Sequence, residues 1–161
     1  MERKNRTPIE RLEELDSVLD EYEKGIGLSG YQDSVVDDDV RKYLGLNREQ
    51  MERLDVEDCA QAAVLLGSFS FHLQRSYNRE NTRISWADGV LKKTAYSSEG
   101  RYSGSWDSQF YQAINDNTYT KKVLEIKNYA QQRADRIHFL ATSVKNMSDL
   151  YVNLQRAKVL R

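Results

Sequence analysis

Two apolar seams constrain what this chain can fold into. The first takes in Cys59, Ala63, Leu66, Ser70, Leu73, Tyr77, Glu80, Ile84, Ala87 and Leu91, in alternating steps of four and three. The second takes in Tyr119, Val123, Ile126, Ala130, Arg133, Ile137, Leu140, Val144, Met147, Tyr151 and Leu154, with no Gly or Pro inside it. Steps of four and three keep residues on one stripe of an α-helix and form the heptad repeat of coiled coils. Leu65 and Phe69 widen the first stripe. Between the seams lies YSSEGRYSGS (96–105), small and polar with two glycines, which stops a helix and turns the chain.

The pattern predicts an all-α fold: a long antiparallel coiled-coil-like helical hairpin from Val56 onward, preceded by short amphipathic N-terminal helices. At 1.5 Å per residue the two long helices should measure on the order of 60 Å and 75 Å. The second begins near Trp106 or Asp107. Its opening face (Phe110, Ala113, Ile114) is out of the later register, so Asp116-Asn117-Thr118 marks a kink or restart. One Pro and eight Gly in 161 residues leave few breakers, in keeping with helices.

Antiparallel seams can be set in register. Leu91 falls opposite Val123, Ile84 opposite Ala130, Tyr77 opposite Ile137, Leu66 opposite Met147 and Cys59 opposite Leu154. The same register places Glu80 opposite Arg133, the two charges that interrupt the seams. Sliding by a heptad keeps the apolar match but turns both charges onto hydrocarbon, which costs several kcal/mol per unpaired ion. Glu80 and Arg133 are therefore expected to pair and fix the register, as a buried polar residue does in other coiled coils.

Ahead of the hairpin, Met1 to Arg6 is polar and expected to fray. Thr7-Pro8-Ile9-Glu10 reads as a capping box with Pro at the first helical position. Ile9, Leu12, Leu15, Leu19 and Tyr22 then make one apolar stripe, with Gly25 as the stop. Gly25 to Gly30 is a joint. The run Asp37-Asp38-Asp39 begins a short helix ending near Leu44, and Arg48 to Leu54 forms another, capped by Asn47 with Gln50 three residues on. The acidic run lacks the D-x-D-x-D-G spacing and distal Glu of a calcium loop.

Charge divides the chain into an acidic N-terminal helical region, 1–55, and a basic hairpin, 56–161. Residues 1–58 hold nine Lys/Arg against seventeen Asp/Glu, a net of −8; the remainder holds fifteen against eight, a net of +7. A division of this kind points to different partners or to attraction of one region for the other. The one cysteine, Cys59, cannot form an internal disulfide, which suits a reducing compartment. No apolar run approaches the roughly 20 residues of a membrane span, and the N-terminus lacks a signal-peptide core. A soluble, cytoplasmic protein without a membrane partner is the expectation.

No catalytic constellation, cofactor motif or metal-ligand set is legible. His72 and His138 come near each other only through the hairpin and lack further ligands, and phosphate loops and nucleophile motifs are missing. No enzyme activity, cofactor or metal is expected. The basic hairpin says more. Arg75, Arg79 and Arg83 recur every four residues, with Trp86 three further on, along one helix face. Around the turn come Lys92, Lys93, Arg101, Tyr102 and Trp106, then Lys121 and Lys122. Guanidinium groups bind phosphates through paired N–H donors, and aromatic rings stack on unpaired bases. These eleven side chains are the candidate interface for single-stranded nucleic acid. The bland reading is a solvated outer helix face.

The layout of residues 56–161 resembles that of the phage recombination mediators of the UvsY type. The likeness lies in a first long helix carrying RSYNRENTRISWADGVLKK (75–93), the polar interruption SSEGRYSGS (97–105), and a second long helix. That helix enters through AINDNTYTKKVLEIKNYA (113–130) and ends in LQRAKVLR (154–161). The resemblance implies an oligomeric helical protein of the host-cell cytoplasm that binds single-stranded DNA. It would help load a RecA-like recombinase onto strands covered by single-strand-binding protein. In such a protein the acidic N-terminal helices would contact the recombinase or shield the basic surface. The competing expectation is a structural or adaptor hairpin that self-assembles or bridges proteins without nucleic acid, because its apolar faces exceed what one hairpin buries.

Overall fold

The structure, a computed structural model, describes residues 6–28 and 38–160. Met1 to Asn5 of the expected frayed start, Ser29 and Gly30 of the expected joint, and Asp37 lie outside the described residues. Among the described residues there are seven α-helices and no strand. They are α1 (Pro8–Gly25), α2 (Asp38–Gly45), α3 (Arg48–Arg53), α4 (Val56–Ser97), α5 (Trp106–Asn115), α6 (Thr118–Ile137) and α7 (Leu140–Val159). None is long and apolar enough to cross a membrane. The chain gathers into two compact units, Met1–Gly27 with Asn78–Asp135 and Leu28–Tyr77 with Arg136–Arg161. This division cuts across the charge boundary, since each unit takes part of the acidic front and part of the hairpin.

In the first unit the C-terminal half of α4 packs with α5 and α6. Ala87, Leu91, Ile114 and Val123 form its buried apolar cluster, flanked by Trp86, Val90, Phe110, Tyr119 and Leu124. Leu91 and Val123 meet as the register predicts. At the turn, Gly100 and Gly104 adopt φ of +78° and +111°, a region that a Cβ disfavours. Ser105 caps α5 by accepting from the Ser108 amide at 3.3 Å. Between α5 and α6 the chain restarts at Asp116 and Asn117, and the buried Thr120 hydroxyl donates to the Ile114 carbonyl at 2.9 Å across that break. The restart expected there from sequence is present.

The second unit joins α2, α3, the N-terminal half of α4, and α7. Val40, Tyr43, Ala62, Ala63, Leu66, Val144 and Tyr151 form its core, with Leu65, Phe69 and Met147 against it. The wide front of the first seam is thus partly covered by α2. Asn47 caps α3 with the expected box: its Oδ1 accepts from the Gln50 amide and its own amide donates to Gln50 Oε1, both at 2.9 Å. A helix as short as α2 or α3 ends with most of its carbonyls unpaired. Here α7 supplies donors, the Tyr151 hydroxyl to the Tyr43 carbonyl at 2.7 Å and Lys158 Nζ to the Glu52 carbonyl at 2.6 Å.

Two expectations for the second seam need correction. It is not one helix, because residues 138 and 139 interrupt it. The interruption coincides with His138 turning to Tyr77, its Nδ1 lying 2.7 Å from the phenolic oxygen, and with the His138 and Phe139 rings meeting edge to face at 4.1 Å. Beyond it the inward positions are Ala141, Val144, Ser148 and Tyr151, while Leu140 is 45% exposed. The reason is small residues. Ser148 Oγ donates to the Ala63 carbonyl at 2.7 Å and Ser70 Oγ to the Ala141 carbonyl at 2.8 Å, so α4 and α7 touch backbone to hydroxyl. Ser148 sits between Ala63, whose carbonyl it reaches, and Gly67, where a Cβ would lie 3.5 Å from its hydroxyl.

Candidate functional site: an arginine ladder faced by an acidic helix

The first unit concentrates charge along α4. Residues 79, 80 and 83 lie within about one helical turn, so their side chains share a side of the helix. Glu80 is 8% exposed and accepts from two guanidiniums: Arg133 Nη2 of α6 at 2.9 Å and Arg83 Nη1 at 2.8 Å. The interhelical pair anticipated from the seams is therefore made, and Arg83 joins it. Beside it, Lys127 Nζ of α6 pairs with Asp88 of α4 at 2.6 Å.

The opposite flank of the ladder is occupied by α1. Thr7 caps this helix with the predicted box, the Glu10 amide donating to its hydroxyl at 3.2 Å and its own amide to Glu10 Oε2 at 2.7 Å. Leu12, Leu15 and Leu19 are half-buried, whereas Ile9 and Tyr22 of the expected stripe are 50% and 64% exposed. The side turned inward also carries Asp16, Asp20 and Glu23, spaced four and three and so on one face. Asp16 meets Arg83 through both oxygens, Oδ2 at 2.6 Å from Nη2 and Oδ1 at 3.3 Å from Nε. Arg79 Nη2 donates to Asp20 and, at 3.1 Å, to Glu23. Because Asp16 reaches Arg83 and Asp20 reaches Arg79, α1 runs antiparallel to α4.

In these contacts the guanidiniums of Arg79, Arg83 and Arg133 meet the carboxylates of Asp16, Asp20, Glu23 and Glu80. The Asp16 bond raises the Arg83 pKa above its ordinary value against the opposing effect of burial. At Arg79 burial is the largest influence and works against the charge. The bonds from Glu23 and Asp20 outweigh it, and the pKa again ends raised. Both arginines stay charged across any physiological range and are bound to acids.

The remaining candidate residues fall into distinct settings. Arg75 is half-buried and belongs to the second unit. Trp86 is half-buried against the apolar cluster, which commits its ring to packing. The Tyr102 hydroxyl donates to Asp116 Oδ2 at 2.6 Å, a bond that raises its pKa and holds the turn to the start of α6. Lys122 pairs with Glu125 at 2.7 Å. Lys92, Lys93, Arg101 and Lys121 are exposed. Leu91 and Val123 share one cluster, so Lys92, Lys93 and Lys121 sit at one level of the helix pair, near the turn.

Trp106 is 55% exposed and stacks on Phe110 at 5.2 Å. With Tyr96, itself 63% exposed, it lines a cavity of about 190 Å³ that also touches Glu99 and Gln109. Tyr96 is the site residue that sequence reasoning passed over. Its signal was its position, an aromatic at the head of a polar turn. The cavity is smaller than the usual several hundred Å³ of a small-molecule pocket. Compared with known protein families, curated proteins and solved structures, the chain matches none.

Proposed function

We propose that this protein binds single-stranded DNA as a non-enzymatic accessory of recombination, in the manner of a mediator that helps load a RecA-like recombinase. The observation that supports the reading most is the turn end of the first unit. There Tyr96 and Trp106 expose ring faces around the small cavity, and Lys92, Lys93, Arg101 and Lys121 stand exposed around the same turn. Stacking on rings combined with phosphate neutralisation suits unpaired bases without sequence preference. The loading role, the recombinase and single-strand-binding protein as partners, homo-oligomer formation and a host-cytoplasm setting rest on the resemblance in helical layout.

Phosphate contacts release counterions, so such binding weakens steeply with salt, by a slope of roughly 0.7 per phosphate on a log–log plot. A fluorescence-anisotropy titration with labelled oligo-dT at low salt tests the proposal. Saturable binding that fades with added salt is expected; absence of binding at micromolar protein rejects it. An adaptor without nucleic acid is favoured by a different observation: Val18, Tyr22 and Ile26, four residues apart, expose an apolar stripe along α1. Light scattering that shows assembly unaffected by oligo-dT would support that second reading.

A further inference from the structure

We infer that α1 is a tethered acidic cover over the Arg79–Arg83 ladder, holding the place of a phosphate backbone and released when a competing single strand arrives. The inference rests on the single-stranded DNA reading above and adds to that site the Arg79–Arg83 ladder, as a second stretch of phosphate contacts that α1 keeps closed. Its first ground is geometric. Asp16 engages Arg83 with two oxygens against two guanidinium nitrogens, the fork arrangement by which arginine also grips phosphate. Asp20 and Glu23 clasp Arg79 from the same helix face. With α1 seated, the guanidiniums of Arg79 and Arg83 are occupied by its carboxylates and are not presented to a polyanion.

The second ground is how α1 is held. The buried apolar cluster of this unit is drawn from α4, α5 and α6. The α1 leucines are only half-buried, and Val18, Tyr22 and Ile26 face outward. The helix is therefore held by its ion pairs, which a competing anion can replace, together with half-buried leucines and the buried Pro8. The fit is also incomplete, since Arg79 Nε is buried without a hydrogen-bond partner among the described residues.

Hydrogen exchange of the α1 amides in the wild-type chain, with and without saturating oligo-dT, reads the release directly. Anisotropy titrations compare the wild type with Asp16→Asn/Asp20→Asn/Glu23→Gln. If α1 covers the ladder nine-tenths of the time, neutralising it strengthens binding about tenfold, because apparent affinity scales with the open fraction. Expected are faster α1 exchange on adding oligo-dT, faster exchange with salt alone, and tighter binding by the variant. Binding by both proteins at equal affinity with α1 exchange unchanged overturns the cover while leaving the DNA reading intact. No binding by either protein overturns the DNA reading and the cover with it. The exchange arm needs no variant, so a misfolded triple variant does not blunt the test.

Discussion

Replacing Glu80 by Ala removes the buried carboxylate that ties α4 to Arg133 of α6. Its side chain is 10% exposed and accepts bonds of 2.8 and 2.9 Å from Arg83 and Arg133. A hydrogen bond to a charged group contributes about 1.5–3 kcal/mol net when shielded. The Arg133 side chain is 49% exposed, and solvent screening reduces its share to roughly 0.5–1 kcal/mol. Arg83 is not orphaned by the change, because Asp16 still holds it at 2.6 Å. Glu80→Ala should therefore destabilise by about 2–3 kcal/mol, and Arg133→Ala by about 0.5–1 kcal/mol, since Glu80 keeps Arg83.

The double variant isolates the pair. A coupling of roughly 0.5–1 kcal/mol is expected from the four-protein cycle, read by urea unfolding followed at 222 nm. In thermal melts the Glu80→Ala loss corresponds to a drop of roughly 4–12 °C for a chain of this size. A Glu80→Ala protein within about 0.5 kcal/mol of wild type would behave like an ordinary surface substitution and refute the reasoning. A coupling of zero would remove Arg133 from the register argument while leaving Arg83 as the partner that matters.

Two further predictions concern the scaffold. Gly67→Ala and Gly89→Ala should each stabilise α4 by about 0.5–1 kcal/mol, because alanine is the better helix former. A Cβ at Gly67 meets Ser148 Oγ at an ordinary 3.5 Å, and one at Gly89 meets nothing within 4 Å; thermal melts of the two variants check this. Stability should also fall in alkali. Burial raises Tyr43 and Tyr151 above their ordinary value of 10.0, and Cys59 above 9.0. These groups favour folding fully below their unfolded values, and that contribution is lost as pH rises through the higher folded ones. Above about pH 9–10 the loss is about 1.4 kcal/mol per pH unit for each group still protonated only when folded. Urea midpoints flat from pH 8 to about pH 11 would contradict it.

Helix existence was legible in the sequence because it rests on local chemistry. The Thr7 and Asn47 boxes, the restart at Asp116-Asn117 and the Gly-bearing turn all follow from residues that act on their neighbours. The Glu80–Arg133 contact was legible because two charges inside apolar seams leave few alternatives. The stretch after His138 was legible in part: Val144 and Tyr151 are buried as expected, whereas Ala141 and Ser148, not Leu140, make the closest contacts to Ser70, Ala63 and Gly67. Small residues carry little hydrophobic signal and announce close approach only once the partner helix is known.

The candidate site was half legible for a similar reason. The spacing of Arg79 and Arg83 marks a basic face, and the acidic front was recognised as a possible shield. Yet nothing local to α1 says that Asp16, Asp20 and Glu23 turn inward alongside its leucines. A carboxylate on an amphipathic helix is ordinarily a solvated one. Only the antiparallel seating of α1 on α4 converts them into partners. Trp86 and Trp106 illustrate the same limit: both are tryptophans in basic surroundings, and packing alone separates the half-buried one from the exposed one.

That separation supplies the most direct measurement of the DNA reading. The chain has two tryptophans, so Trp86→Phe leaves Trp106 as the only indole, and Trp106→Phe leaves Trp86. Tryptophan fluorescence is then followed while oligo-dT is added at low salt. The account predicts saturable quenching in the Trp86→Phe protein, reversed by salt, and little change in the Trp106→Phe protein. Quenching confined to the Trp106→Phe protein, or none in either, would contradict it.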